Sequence, residues 1–220
     1  MENTNLMLFF CLSAPLSMMI FVFKDRARTI LAFILTGLFM CLFAGEINGL
    51  IGNITKTSPY FLTVNITPIV EEVLKALPVV FFAFVLKPER QLLLECSVAV
   101  GVGFATMENS CVLFEYAMSI SAGTIIARGI GAGMMHGIST LAVGYSMEFV
   151  RSDRKLSYTG TVAALSVAII YHSIYNILVQ SDYPMIGILL PIITYIPLIF
   201  AVNRTKNLNM GKINSKNRGE

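Results

Sequence analysis

Residues 67–86 read Thr-Pro-Ile-Val-Glu-Glu-Val-Leu-Lys-Ala-Leu-Pro-Val-Val-Phe-Phe-Ala-Phe-Val-Leu, and this stretch decides the fold. It is apolar over the roughly 20 residues that a helix needs to cross a bilayer, yet it carries Glu71, Glu72 and Lys75. Working outward, further apolar runs lie near 5–23, 30–52, 92–114, 124–148, 158–180 and 184–202, separated by short polar breaks. Only 13% of the 220 residues are charged, against roughly 25% in a soluble domain, and the mean hydropathy is +0.73. So few charges cannot surface a soluble core of this size, and disorder, collagen-like repeats and secreted disulfide scaffolds are excluded as well. The expected fold is all-α: a polytopic transmembrane helix bundle of about seven spans, forming one domain over 1–202. A basic tail over 203–220, rich in Lys, Arg and Asn, is expected to be disordered.

With the amino terminus outside, 13 of the 16 basic residues fall in inside segments and only Lys56 falls in an outside one. The positive-inside rule therefore predicts amino terminus out and carboxy terminus in, as a multi-pass protein of a cell membrane, with the bacterial cytoplasmic membrane as the expected location. The first span is expected to stay as a reverse anchor, because its positive cluster follows it. Membrane lipid is the expected surrounding partner, and the basic tail reads as a topology determinant, so no nucleic acid is implied. Cys11, Cys41, Cys96 and Cys111 lie within spans, with neither metal-ligand spacing nor a disulfide framework, and read as small buried hydrophobes.

An intramembrane charge costs about 2.5–3.5 kcal/mol on the insertion scale, so each needs a reason. The spans contain Glu46, Glu71, Glu72, Lys75, Glu108 and Arg128, together with both histidines, His136 and His172. At 1.5 Å of rise per residue, Glu71, Glu72, Glu108, Arg128 and His172 fall in the outer leaflet and His136 nearer the midplane, reached from four helices. Residues four apart share a face, which groups Glu71 with Lys75, His136 with Thr140, and His172 with Asn176. Glycines at 101, 103, 129, 131 and 133 read as close-packing positions. Two negative charges are left over in the spans, to be neutralised by shared protons, by protonated histidine or by a divalent cation. Glu46 either borders the same cavity or pairs locally with Asn48 or Asn53.

Carboxylates, imidazoles and an amide in one layer suit general acid–base hydrolysis, and no serine or cysteine nucleophile motif, HExxH, P-loop or dinucleotide fingerprint is present. In chain order the motifs are Glu71-Glu72-Val73-Leu74-Lys75 (EExxK), Gly103 to Asn109 (GFAxxEN), Arg128 followed by His136 and Thr140 (HxxxT), and His172 with Asn176 (HxxxN). This ordered set resembles the PrsW family of intramembrane proteases, over roughly 67–180, and departs from none of its four motifs. It is also similar to the wider group of CAAX-processing and bacteriocin-related Abi proteases, which differ in having arginine in the first motif and histidine ending the second.

The resemblance implies peptide-bond hydrolysis in or beside the membrane, on a membrane-anchored protein such as an anti-sigma factor or on a leader peptide. The catalytic set is then Glu71 or Glu72 with Glu108 and His136 activating water, and His172 and Asn176 stabilising the oxyanion. Lys75, Asn109, Arg128 and Thr140 are the supporting residues. The family was first placed among metallopeptidases, whereas its relatives resemble metal-free glutamate enzymes. No metal or other cofactor is the expectation here, because a closed zinc site would still need a base. The alternative is zinc or another divalent metal on Glu72, Glu108, His136 and His172. Two other classes fit buried charges: an ion- or proton-coupled transporter, and a non-catalytic immunity or scaffold protein.

Overall fold

A computed structural model describes residues 2–116, 118–151, 153 and 155–216, with side chains described over 4–116, 118–151, 153 and 155–200. It is helical, with no strand among the described residues. The helices are Glu2–Val22 (α1), Asp25–Thr55 (α2), the single turn Pro59–Phe61 (α3), Thr67–Phe81 (α4), Arg90–Tyr116 (α5), Ala122–Val150 (α6), Leu156–Val179 (α7) and Pro184–Lys216 (α8). Wider π-helical turns, Leu62–Ile66 and Phe82–Leu86, flank α4.

Four helices, Thr4–Val22 within α1, α2, α5 and α7, are long and apolar enough to cross a membrane. The other three expected spans are helical but fall short of that test for separate reasons. The 67–86 stretch is divided between α4 and a π-turn, α6 is diluted by glycines, Arg128 and His136, and the described apolar part of α8 ends at Phe200. The backbone of α8 stays helical through Lys216, where the sequence reading expects a disordered tail from 203. No proline or glycine interrupts 203–209, so nothing there stops a helix already begun at Pro184. Side chains from 201 onward and residues 217–220 lie outside the described residues.

Helix α4 has its amphipathicity reversed. Pro68, Glu71, Glu72, Lys75, Ala76 and Val79 recur at helical spacing on the buried face, while Ile69, Val73, Leu77 and Phe81 point outward. That inversion is stable only where the outer medium is hydrocarbon and polar groups find partners inside. The partners come from α5, α6 and α7, which pack against α4 together with α2. Toward the end bearing Lys87 and Arg151, Val79, Phe82, Cys96, Val100, Val143 and Met147 form a dry core. There Arg151 Nη1 donates to the Pro88 carbonyl at 2.8 Å. Arg26, at the start of α2, bonds Glu89 and Glu95 beside the start of α5.

Two glycines set how closely α5 meets its neighbours. A Cβ on Gly103 would lie 2.9 Å from the Ile34 carbonyl carbon of α2, and one on Gly101 would lie 2.8 Å from the His136 carbonyl carbon of α6. Backbone cannot yield as a flexible side chain would, so Gly101→Ala must push α5 and α6 apart beneath His136. We expect a loss of about 1–3 kcal/mol from overpacking, read as a lower midpoint of thermal unfolding in detergent. An unchanged midpoint would show that the two helices have slack.

Candidate active site

The charged residues of four helices converge at the end of the bundle away from Lys87. They surround a cavity of about 160 Å³ walled by Thr63, Thr67, Glu71, Glu108, Arg128, His136, His172, Tyr175 and Asn176. The contributions come from the buried face of α4, the last turns of α5, the first half of α6 and the end of α7.

Lys75 is the hub. It is fully buried, and its ammonium donates to Glu72 Oε1 at 2.6 Å and to His136 Nδ1 at 2.8 Å, with the Phe104 ring beneath it at 4.9 Å. An ammonium only donates, so His136 Nδ1 accepts and the ring proton sits on Nε2, which donates to Glu108 Oε2 at 2.7 Å. Glu108 also receives Arg128 Nη2 on Oε1 at 2.6 Å. Glu72 Oε1 receives His172 Nδ1 at 2.8 Å and the Ser139 hydroxyl at 3.3 Å. The two imidazole rings meet edge to face, 5.0 Å between centres.

Glu71 is different. It makes no hydrogen bond among the described residues, its Oε2 is buried without a partner, and His172 Nε2 lies 3.9 Å from that oxygen. Glu72 Oε2 also lacks a partner, but Glu72 does not line the cavity and Glu71 does. One ligand atom from each of Glu71, His136 and His172 lies within 4.8 Å of the others.

Several expected residues are placed elsewhere. Lys75 pairs with Glu72 at three residues' spacing and not with Glu71 at four, because His136 and Phe104 hold the ammonium on the α5 and α6 side. Thr140 hydrogen-bonds the His136 carbonyl within its own helix. Asn109, one residue past Glu108, is turned about 100° around α5 and lines a separate apolar groove, its Oδ1 without a partner. Glu46 is exposed on α2 and does not line the cavity. Asn176 does reach the cavity, where its amide donates to the Thr63 carbonyl at 3.0 Å. The sequence reading missed Ser139, Thr67 and Tyr175. Helical spacing from His136 and His172, three residues in each case, would have found Ser139 and Tyr175.

Three glutamates and two imidazoles gathered inside an apolar helical bundle, with a carboxylate left free at a small cavity, have the chemistry that a membrane-embedded hydrolase needs. The family profile described as PrsW family intramembrane metalloprotease matches residues 25–202. The chain belongs to that family and is a peptidase. No curated protein and no solved structure gives a match. Membership in a protease family sets aside the transporter and scaffold alternatives. The family's description as metalloproteases and the Glu71, His136 and His172 cluster both run against the metal-free expectation. The cluster also differs from the alternative ligand set, because Lys75 and Ser139 engage Glu72 and Arg128 engages Glu108.

Proposed function

We propose that the chain is an endopeptidase that cleaves a membrane-anchored protein or leader-type peptide close to the outer surface of a bacterial cytoplasmic membrane. All seven long helices span in this reading, with the amino terminus outside, supported by the distribution of basic residues and the inverted face of α4. The observation that carries the reading is the unpartnered Glu71 oxygen facing His172 Nε2 in a buried cavity.

The donor set fits a divalent cation, zinc first. Two imidazoles and a carboxylate are the ligand types of open catalytic zinc sites, and Glu72 on His172 Nδ1 is the outer carboxylate that turns Nε2 inward. Glu71, His136 and His172 would hold it; for His136 Nε2 to take part, its bond to Glu108 would be released and the ring proton would sit on Nδ1, with Lys75 losing one proton so that its amine accepts from Nδ1. Such a cation supplies a more acidic bound water and polarises the scissile carbonyl. Glu71 would lend one carboxylate oxygen to the cation, and its other oxygen takes the proton of the attacking water and returns it to the leaving nitrogen. Glu72 fixes the His172 ring through Nδ1, and Arg128 holds Glu108 beside the site. Asn176 offers its second amide hydrogen to the oxyanion.

The test is cleavage of a tagged membrane-anchored substrate by purified protein, followed through chelation and zinc re-addition, with metal content measured in parallel. About one metal per chain, loss on chelation and recovery with zinc are expected. Full activity with no stoichiometric metal would overturn the cation and leave Glu71 as an unaided base.

A further inference from the structure

A second hollow, of about 550 Å³, adjoins the catalytic cavity and shares four wall residues with it: Arg128, Tyr175, Val179 and Gln180. Beyond that seam it runs between the first turns of α6 and the α7–α8 hairpin, past apolar residues such as Ala127 and Ile188. An extended peptide lying there would present its backbone to the seam.

Most donors at the seam and in the cavity are engaged. Lys75 bonds Glu72 and His136, Arg128 Nη2 bonds Glu108 and so holds the guanidinium on that carboxylate although its buried Nε has no partner, His172 Nδ1 bonds Glu72, and Gln180 Nε2 bonds the Asn176 carbonyl. The hydroxyls of Tyr175 and Thr67 form no hydrogen bond among the described residues, and of these two only Tyr175 also faces the adjoining groove. The Tyr175 side chain is buried while its residue lines both hollows, which leaves the phenol O–H free to meet a guest there. The Tyr175 ring is 4% exposed and wedged against Ala132 and Met135, so the hydroxyl cannot swing away to find a partner. Space beside its oxygen is kept by Gly131, where an added Cβ would come within 3.0 Å.

Resting on the hydrolytic reading of the cavity, we propose that Tyr175 is a further catalytic residue, whose phenol O–H meets the scissile carbonyl of a peptide held in this groove. As the water oxygen bonds the carbonyl carbon, the C=O pair moves onto oxygen and is met by the phenol hydrogen, which stays on Tyr175. Collapse re-forms C=O and breaks C–N, and the proton that Glu71 took from water goes to nitrogen. Such a donor acts on kcat, because the charge it meets develops in the transition state.

The experiment uses the full chain in liposomes and a library of fluorogenic membrane-anchored peptides with varied sequence next to the anchor. For the best-cleaved member, Tyr175→Phe should lower kcat about 100-fold with KM little changed. Gly131→Ala should lower kcat in the same direction with the hydroxyl still present. Tyr171→Phe, which removes a hydroxyl bonded to Thr194 away from the cavity, should have no effect. Unchanged kcat in Tyr175→Phe, a change in KM alone, or a kcat loss confined to Thr67→Val would overturn the proposal. Failure of the underlying reading shows differently: Glu71→Gln would then cleave as wild type does, or wild type would cleave no member.

Discussion

Glu71→Gln should all but abolish cleavage, by about 10²–10⁴-fold for a lost general base, while leaving the protein as stable as wild type or slightly more so. The two halves of this result have separate origins. Activity goes because the amide can neither take the water's proton nor serve as an anionic ligand beside His172. Stability stays because Glu71 makes no hydrogen bond among the described residues, and its Oε2 lies buried without a partner. A buried carboxylate without a partner is a liability that a neutral amide of the same shape relieves. Such opposition of stability and function marks a site residue more sharply than loss of activity alone. Cleavage assays and thermal unfolding on the same detergent preparation check both halves. More than about a tenth of wild-type cleavage would remove Glu71 from the role of base.

The sequence carried the membrane class and most of the charged lining of the cavity because intramembrane charge is expensive, so every such residue stands out against the apolar background. Depth arithmetic brought Glu71, Glu72, Glu108, Arg128 and His172 to the outer leaflet with His136 deeper, and all of these but Glu72 line one cavity. Glu46 is the exception: exposure on α2 shows that one charge escaped the rule. Partner choice was harder to read, since i,i+4 spacing names two residues on one face and says nothing of groups arriving from other helices. Lys75 could reach either Glu71 or Glu72, and the decision belonged to His136 and Phe104, both distant in sequence. Motif letters were likewise uneven. Thr140 serves its own helix, Asn109 faces another groove, and Tyr175, between the letters of HxxxN, faces both the cavity and the adjoining groove.

Lys75→Met should be the most destabilising single change in the site. The ammonium is fully buried and holds Glu72 at 2.6 Å and His136 at 2.8 Å. Removing it leaves the Glu72 carboxylate charged in a dry interior with only the His172 and Ser139 contacts on Oε1, and Oε2 already lacks a partner. Breaking a buried pair from one side costs about 3–5 kcal/mol, which for a chain of this size lowers the unfolding midpoint by about 6–20 °C. Adding Glu72→Gln to Lys75→Met removes the stranded charge, so the double variant should recover most of the lost stability, a non-additivity that only direct coupling produces. It should not recover cleavage, because Glu72 is also what fixes His172 Nδ1 and so aims Nε2 at Glu71. If the two changes add without coupling, the pair is not an ionic unit; if the double variant cleaves normally, Glu72 has no part in orienting His172.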